Sequence, residues 1–318
     1  MFVTYNYEFV TQLNDRRRTM QRKTFYPETG KRTFPALINW TGHDLNECLF
    51  YSYRDTVYDR STYPADLHYH EYYELVIFLE GNVRYICESS VYVPQYGDVI
   101  LVPPGQLHMS VLQGNRTRYR RHVFYLTQDA FDGARCGALS ELLKKFTKVR
   151  FLCVPEREAF GEMIGLLERL SGILGGEVES MERALGFGYT VQLFYLLNRC
   201  AAPTEERKQQ LPEPIRHIKE YVDSHITEFS TVNEVAEALF YSREYISRAF
   251  KRYFHTTVSD YIRKRRIAMA RELIAAGVPL IEVCYRIGFG NMSTFIRSFH
   301  AVAGMCPSEY REMVRSKQ

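Results

Sequence analysis

One pattern of basic and aromatic residues occurs twice in the last third of the sequence, and it constrains the fold more than any other feature. The two copies, offset by 49 residues, read Arg248-x-Phe250-Lys251-x3-His255 and Arg297-x-Phe299-His300-x3-Gly304. Hydrophobic periodicity predicts a short helix before each copy, at 232–239 and 280–287, and a further helix that carries the copy itself. Helix, short turn and helix is the layout of a helix-turn-helix unit. We therefore expect two such units within residues 214–318.

Helix ends and the spacing of the units are also indicated by the sequence. Thr231 and Ser242 are typical N-cap residues, and they precede the predicted helices at 232–239 and 243–254. A longer helix predicted at 258–276 connects the two units. Because successive major grooves on one face of DNA lie roughly 34 Å apart, a helix of this length could hold one unit in each groove.

The second helix of each unit presents polar side chains that suit contacts with DNA, while Phe250 and Phe299 are expected in the core. The residues that we expect to contact DNA are Ser242, Arg243, Glu244, Ser247, Arg248, Lys251, Asn291, Ser293, Thr294 and Arg297. A solvated helix face is the alternative for each arginine, but the matched positions of Arg248 and Arg297 favour DNA. The distribution of charge also favours DNA binding by this part of the chain. Residues from 211 onward carry 16 basic and 12 acidic side chains, whereas the preceding residues carry 25 of each.

A wider set of positions across residues 212–315 follows the pattern of one family. These positions are Ala236, Ser242, Arg248, Phe250, Lys251, Tyr261, Arg266, Ala270, Leu273, Gly288, Phe289, Ser293, Phe295, Arg297, Phe299, Gly304, Pro307, Tyr310 and Arg311. At these positions the chain resembles the AraC/XylS family of transcription regulators. The resemblance implies a sequence-specific regulator of transcription that binds double-stranded DNA, works with RNA polymerase, forms a homodimer and is more often an activator than a repressor.

Three positions depart from the pattern of that family. His255 stands where glycine is usual after the first recognition helix, but histidine enters the left-handed conformation more readily than most residues, so we expect the turn to survive. Cys284 replaces a usual alanine. His300 replaces a usual lysine, and it weakens one expected phosphate contact because a neutral histidine attracts phosphate less.

The N-terminal half has a different pattern, with short β-like runs separated by turn residues. The clearest runs are Leu75–Leu79, Val83–Ile86, Val91–Val93 and Val99–Val102. They predict an all-β sandwich or small barrel. Two further strings in this part are His68-Tyr-His70-x3-Glu74-x6-Gly81 and Gly97-x5-Pro103-Pro-Gly105-x2-His108. Together they resemble the two motifs of the cupin barrel, although Leu112 stands where asparagine often ends the second motif.

Four side chains of these strings are expected to form one site. If 68–79 is a strand, His68, His70 and Glu74 project from the same face, and His108 could complete the set. With Tyr72 they would bind an effector by hydrogen bonds, which in similar regulators is commonly a sugar. Three imidazoles and one carboxylate also suit a divalent first-row metal. In the third alternative the histidines only hydrogen-bond to each other in the interior.

These alternatives lead to two classes of function. A site that binds its effector by hydrogen bonds predicts a regulator that has no cofactor and is not an enzyme. A metal at His68, His70, Glu74 and His108 would instead support a metal-dependent cupin enzyme joined to a DNA-binding domain, which needs an open coordination position.

The fold class that we expect is multidomain, α and β, with an N-terminal cupin β-barrel followed by helices and a C-terminal all-α double helix-turn-helix. The predicted segments are an N-terminal arm at 1–44, an effector-binding barrel at 45–130, a helical dimerisation or support region at 131–200, a linker at 201–213 and a DNA-binding domain at 214–318. Within the helical region, Gly175 and Gly176 are expected to end the first of two apolar helices.

The sequence also indicates where the protein works. The longest apolar run, Leu75–Leu79, is too short to span a membrane, and the first residues lack the pattern of a secretory leader. The seven cysteines are dispersed and form no CxxC pair, which argues against a disulfide framework and a zinc finger. We therefore expect a location in the reducing cytoplasm, with no membrane partner.

Overall fold

The computed structural model describes most of the chain beyond the first 42 residues. The described residues are 43–45, 48–59, 63, 67–87, 90–127, 130–131, 137–144, 146–175, 178–204, 208–228 and 231–315. The predicted arm at 1–44 therefore lies almost entirely outside them. Among the helices in this part of the chain, none combines the length and the apolar character that crossing a membrane requires.

Two antiparallel sheets form the N-terminal half of the protein. Their strands are β1 (His43–Asp44), β2 (Leu49–Asp59), β3 (Tyr73–Glu80), β4 (Val83–Cys87), β5 (Ser90–Tyr92), β6 (Val99–Val102), β7 (His108–Leu112), β8 (Arg116–Leu126), β9 (Arg150–Cys153), β10 (Ala202–Pro203) and β11 (Lys208–Gln210). The larger sheet has the order β1-β2-β8-β3-β6-β9-β10, and the smaller sheet has the order β11-β5-β4-β7. Their sequences are rich in the β-branched and aromatic residues that favour strands.

The two sheets face each other and enclose an interior. Tyr119, Val123 and Tyr125 of β8 are separated by even numbers of residues, and they join Val76 of the larger sheet and Val83 of the smaller sheet in one buried cluster. Alternate residues of a strand point to opposite faces, so this period of two identifies the inward face of β8. The other face of β8 contributes to a different core, as described next.

Helices cover the outer face of the larger sheet. They are α1 (Gly137–Lys144), α2 (Arg157–Ile173) and α3 (Ser180–Cys200). Apolar residues of α2 and α3, among them Met163 and Leu193, are buried with Phe124 and Leu126 from the outward face of β8. The first long helix ends just before Gly175, as the sequence predicts.

β9 lies outside the predicted barrel bounds of 45–130, as do β1 and, as described below, β10 and β11. β9 pairs with β6, with Phe151 opposite Ile100 and Leu152 opposite Val99. Four residues are too few to show a reliable alternation of apolar and polar side chains, so the sequence pattern missed this strand. Its pairing satisfies backbone groups that the edge of β6 would otherwise expose.

The predicted linker at 201–213 is in part built into the sheets, which corrects that prediction. β10 pairs with β9, and β11 pairs with β5. The hydroxyls of Thr204 and Tyr92 also form a hydrogen bond of 2.8 Å. A polar composition with prolines is typical of linkers, and it carries no sign of this pairing because the pairing depends on free edges elsewhere in the sheets.

Seven helices in the described residues make up the C-terminal part. They are α4 (Glu213–Ser224), α5 (Val232–Leu239), α6 (Arg243–Phe254), α7 (Val258–Ala275), α8 (Leu280–Arg286), α9 (Met292–Ala303) and α10 (Pro307–Arg315). The predicted helices from 232 to 287 agree with these bounds to within one residue. The predicted fold class is therefore confirmed: a β-rich domain, following helices and a helical end with two helix-turn-helix units, α5–α6 and α8–α9.

The buried side chain of Arg266 ties the two units together across α7. Its Nε donates to the backbone oxygen of Ile226, and its Nη1 donates to that of Gly288, each at 2.8 Å. Ile226 follows α4, and Gly288 begins the turn between α8 and α9. One guanidinium thus satisfies carbonyl groups on both sides of the connecting helix and holds the two units in one arrangement.

We predict that Gly288→Ala destabilises the protein much more than Gly277→Ala. Both glycines have left-handed backbones, with φ of +80° and +83°, so alanine costs on the order of 1–2 kcal/mol at either position. A Cβ at Gly288 would also lie 2.1 Å from the backbone oxygen of Thr227, whereas nothing lies within 4 Å at Gly277. Urea unfolding of the two variants measures the difference, and equal losses would contradict this account.

Candidate nucleic-acid interface and ligand site

The two recognition helices, α6 and α9, begin at side-chain caps. The Ser242 hydroxyl accepts a hydrogen bond of 3.2 Å from the Tyr245 amide, and Asn291 Oδ1 accepts one of 2.8 Å from the Thr294 amide. Capping fixes where each helix starts and directs its first turn outward. Ser242 and Asn291 were predicted as DNA contacts, and their side-chain oxygens here have a local structural role as well.

The remaining predicted DNA contacts share one exposed face on each recognition helix. Arg243, Glu244, Ser247, Arg248, Lys251, Ser293 and Arg297 are exposed, and Thr294 is half-buried. Ile246, Phe250, Phe295 and Phe299 fill the opposite face and are buried. The 3.6-residue period explains this division, because residues three or four apart lie on the same side of a helix.

Both matched arginines lie on these exposed faces. Arg248 Nε donates to the backbone oxygen of Glu244 at 3.3 Å, and Arg297 Nη2 donates to the Thr294 hydroxyl at 3.5 Å. Within the part of the chain that the structure describes, neither arginine forms an ion pair. Their guanidinium groups are therefore available to phosphates or to base edges of DNA.

The turn after the first recognition helix has the predicted left-handed residue. His255 has φ of +50°, and Gly304 has φ of +76° at the matching end of α9. Histidine therefore occupies the conformation that glycine adopts in the second unit. His300, which replaces the usual lysine, is exposed on the last turn of α9.

The barrel contains the second site, formed by His68, His70, Glu74 and His108 and called here the barrel site. Glu74 Oε2 lies 2.9 Å from His70 Nε2 and 3.1 Å from His108 Nε2. The ring of His68 lies 4.4 Å from that of His108 between centroids. One potential ligand atom from each residue lies within 4.8 Å of the others. The structure thus brings together all four residues that the sequence singled out.

These residues meet by a different route from the one predicted, since 68–79 is not one continuous strand. β3 begins only at Tyr73. Before it, His68 exchanges two backbone hydrogen bonds with His108, and the oxygen of His70 accepts one from the amide of Gly105. This segment therefore pairs with the residues that lead into β7 instead of extending β3, and the pairing places the histidines beside Glu74.

Hydrogen bonds orient both buried imidazoles. His70 Nδ1 lies 2.8 Å from the backbone oxygen of Tyr72, and His108 Nδ1 lies 2.8 Å from that of Gln106. A carbonyl oxygen only accepts, so each Nδ1 carries a proton and each Nε2 faces Glu74. Burial raises the pKa of Glu74, but the hydrogen bonds and charges of His108 and His70 outweigh it and hold that pKa well below its ordinary value. Glu74 is therefore a carboxylate.

This orientation suits two kinds of occupant. Protonated Nε2 groups can donate to Glu74 or to hydroxyls of a ligand. Alternatively, a metal can take the place of the Nε2 protons, and an Nδ1 proton donated to a backbone carbonyl is the usual support for a metal-binding histidine. Nitrogen and carboxylate oxygen donors are the set that zinc and related first-row ions accept.

Aromatic rings border the barrel site. Tyr72 stacks on His70 with ring centroids 4.1 Å apart and planes that differ by 6°. Tyr125 meets both rings edge-on, at 5.0 Å from Tyr72 and 6.2 Å from His70. Tyr72, the fifth predicted effector residue, therefore lies against the site and helps to fix the orientation of His70.

The short stretch of residues 67–71, called here the shared segment, also contacts the C-terminal helices. Lys264 Nζ of α7 donates to the backbone oxygen of Leu67 at 2.5 Å. Arg271 Nη2, on the same helix, lies 2.9 Å from Glu71 Oε1. Because His68 and His70 belong to the barrel site, alternate residues of this segment face two different parts of the protein.

Arg271 is the centre of this contact. It is 9% exposed, and its guanidinium lies over the rings of Tyr69 and Tyr310 at 5.3 and 4.7 Å. The hydroxyl of Tyr310, on α10, lies 3.5 Å from Glu71 Oε2. Sequence reasoning missed this group of residues, because its members lie some 200 positions apart and no local pattern marks them.

An apolar core extends the contact between barrel and helices. Leu107 and Met109 of the barrel belong to the same buried cluster as Ile215 and Ile218 of α4. That cluster continues through α5 and α6 to Tyr261 of α7. Burial of this kind is the main source of stability in domain contacts, so the first helix-turn-helix unit shares its core with the barrel.

Known proteins match both parts of the chain. Residues 53–174 match the family described as the AraC-like ligand binding domain, and residues 235–313 match a helix-turn-helix domain. Regulatory protein SoxS of Salmonella typhimurium is 33% identical over 98 residues, which are 30% of this chain and 92% of that protein. The uncharacterized HTH-type transcriptional regulator YdiP of Escherichia coli is 24% identical over 247 residues, 76% of this chain and 79% of that protein.

Solved structures were also similar in part. The C-terminal domain of AraT, a response regulator from Geobacillus stearothermophilus, is 27% identical and covers 33% of this chain and 88% of its own, with a TM-score of 0.31. ToxT from Vibrio cholerae is 15% identical and covers 82% of this chain and 98% of its own, with a TM-score of 0.33.

Proposed function

Because this chain belongs to the AraC family of transcription regulators, we propose that it binds specific DNA sequences and that a small molecule in the barrel controls this binding. The observation that carries the proposal is the pair of exposed recognition helices, each with an arginine at the matched position that forms no ion pair with any described residue. Arg248 and Arg297 would read base edges or phosphates, and the other exposed polar residues of α6 and α9 would position the helices.

The effector would bind at the barrel site. His68, His70, Glu74, His108 and Tyr72 offer hydrogen-bond donors, an acceptor and a stacking face, which together suit a polyhydroxylated molecule such as a sugar. His70 and His108 are each already hydrogen-bonded to Glu74 Oε2. An effector hydroxyl would have to replace one of these hydrogen bonds, and this replacement gives binding a way to move the shared segment.

We further propose that the protein acts in the cytoplasm as a homodimer and activates transcription together with RNA polymerase. Met181, Leu185 and Tyr195 of α3 are 75%, 45% and 56% exposed and lie near one side of that helix. Large apolar side chains in contiguous exposed patches are typical of protein interfaces. This surface of α3 therefore supports the predicted role of the helical region in dimerisation. Activation and polymerase contact rest on the family alone.

Regulation would pass through the shared segment. The relative SoxS is a regulatory protein, and 92% of its length matches only 30% of this chain, so it is too short to contain both parts of this chain. The contacts of Glu71, Tyr69 and Leu67 with α7 would then restrain the two units. An effector that shifts His68 or His70 would loosen these contacts and let the units adapt to DNA.

A second candidate function follows from the orientation of the imidazoles at the barrel site. The Nε2 atoms of His70 and His108 lie 2.9 and 3.1 Å from Glu74 Oε2. In a tetrahedral site with metal–ligand bonds of 2.0–2.1 Å, two neighbouring ligand atoms lie about 3.4 Å apart, which is close to these separations. His70, His108, Glu74 and His68 would hold a divalent metal there, which could stabilise the barrel or, with an open position, act on a substrate.

We predict that Arg248→Ala and Arg297→Ala each weaken DNA binding by about 1–3 kcal/mol, which is on the order of 10- to 100-fold. The measurement is a titration of a duplex that the wild-type protein selects from a random pool, at fixed salt. Arg216→Ala is the control, because Arg216 is an exposed, ion-paired residue of α4 outside both units. Unchanged affinity and sequence preference in both variants would contradict the assignment.

We predict that Glu71→Gln raises affinity for the same duplex by a few-fold in protein without effector. The change removes the ion pair between Glu71, which is 45% exposed, and the buried Arg271, and it therefore weakens the contact between the barrel and α7. Glu80→Gln is the matched control, since Glu80 forms ion pairs only within the barrel among the described residues. Equal or weaker binding by the Glu71 variant would show that the contact does not restrain the DNA-binding part.

The metal alternative makes its own prediction. If the barrel site holds a metal, Zn²⁺ or Co²⁺ added to EDTA-treated full-length protein raises its melting temperature, because an ion at 100 times its dissociation constant contributes about 2.7 kcal/mol. Glu74→Gln should abolish this shift, and Glu80→Gln should retain it. No shift in wild-type protein would exclude a tightly bound metal and leave hydrogen bonding to the effector as the role of the site.

A further inference from the structure

Arg121 of β8 is a buried cation that has no carboxylate partner among the described residues. The residue is 8% exposed, and its guanidinium carbon lies 3.8 Å from the ring centroid of Tyr119. Among the described residues it forms no ion pair, and its buried Nη1 has no hydrogen-bond partner. A guanidinium has five N–H donors and no acceptor, and leaving a donor unsatisfied away from water is costly.

Arg121 faces the barrel interior. It lies two residues from both Tyr119 and Val123, which belong to the interior cluster, so it shares their face of β8. On β3 it is opposite Phe78, another member of that cluster. The unsatisfied nitrogen is therefore inside the domain that is proposed to bind the effector, and not at its outer surface.

Tyrosine side chains lie around Arg121 in the interior. They include Tyr119, on whose ring the guanidinium stacks, and Tyr63 and Tyr85. Tyr85 and Tyr119 are hydrogen-bonded through their hydroxyls, and Tyr63 is hydrogen-bonded to Ser110. Burial raises the pKa of Tyr63 and of Tyr85, so these hydroxyls stay neutral and can donate. A buried cation beside neutral donors is a setting that suits an anion.

A groove lies at the end of the barrel near the start of β8. It has a volume of about 580 Å³ and lies between the β3–β4 and β7–β8 turns, with Gly81, Arg116, Thr117 and Arg118 in its lining. A Cβ at Gly81 would lie 3.3 Å from atoms of Tyr119, the residue on which Arg121 stacks.

We propose that the barrel binds a small organic carboxylate and that Arg121 pairs with its anionic group. The planar guanidinium fork matches a carboxylate better than it matches a neutral hydroxyl. The inference rests on the proposed role of the barrel as the effector domain and narrows the effector from sugars in general to sugar acids and related hydroxy acids.

The position of Arg121 agrees with a ligand that reaches both polar groups of the interior. Tyr125 is opposite Glu74 on β3, and Arg121 is opposite Phe78, four residues along the strand. Four residues of strand span about 13 Å between Cα atoms, and the side chains of both ends shorten that distance. The carboxylate would lie at Arg121, and the hydroxyls would extend toward His70, His108 and Glu74.

The test compares acids with their neutral counterparts on the full-length protein. Galacturonate, glucuronate and gluconate are matched with galactose, glucose and glucitol, and the melting temperature is measured at constant ionic strength. We expect at least one acid to raise it and its neutral counterpart to leave it unchanged. Arg121→Gln should abolish the shift, and Arg121→Lys, which keeps the charge but not the fork, should weaken binding at least tenfold. Arg150→Gln, an exposed change on β9 of the same domain, should retain it.

Three results would overturn the proposal. They are a response to neutral sugars equal to that for acids, an acid response that survives in Arg121→Gln, and no response to any of the acids. Circular dichroism of both Arg121 variants establishes that they fold. DNA titrations on the same preparations separate this inference from the proposed function, since binding of the selected duplex would remain if only the carboxylate assignment were wrong.

Discussion

The alternation of side chains along the shared segment, residues 67–71, links the two halves of the protein. An extended chain sends successive side chains in opposite directions. His68 and His70 therefore lie at the barrel site, while the ring of Tyr69 and the carboxylate of Glu71 meet Arg271. A change of occupant at the barrel site thus has a short physical path to the helix that connects the DNA-binding units.

That connecting helix, α7, transmits the contact because it is rigidly joined to both units. Arg266 satisfies carbonyl groups beside α4 and at the turn before α9. Arg271, a little more than one turn further along, meets the barrel. The same helix therefore holds the spacing of α6 and α9 and the contact with the shared segment. Because α7 sets this spacing, a restraint on α7 also limits how the two recognition helices can fit successive grooves of DNA.

Local signals explain what the sequence could predict. The C-terminal helices could be located from the N-cap residues Thr231 and Ser242 and from the helical spacing of apolar residues. Both features depend only on neighbours within four residues. The histidines and Glu74 were located by motif, although backbone pairing with residues 105–108 brings them together. The contact of Glu71 with Arg271 and the inward position of Arg121 depend on domain placement and strand register, which no local pattern contains.

The most direct test of the account is amide hydrogen exchange of the full-length protein with and without the DNA duplex that it selects. Linkage is reciprocal, so if the barrel site controls DNA binding, DNA binding must also change the barrel site. The account predicts altered exchange in residues 67–71 in addition to protection of α6 and α9. Changes confined to the C-terminal helices, with no effect on the shared segment, would contradict the proposed route of regulation.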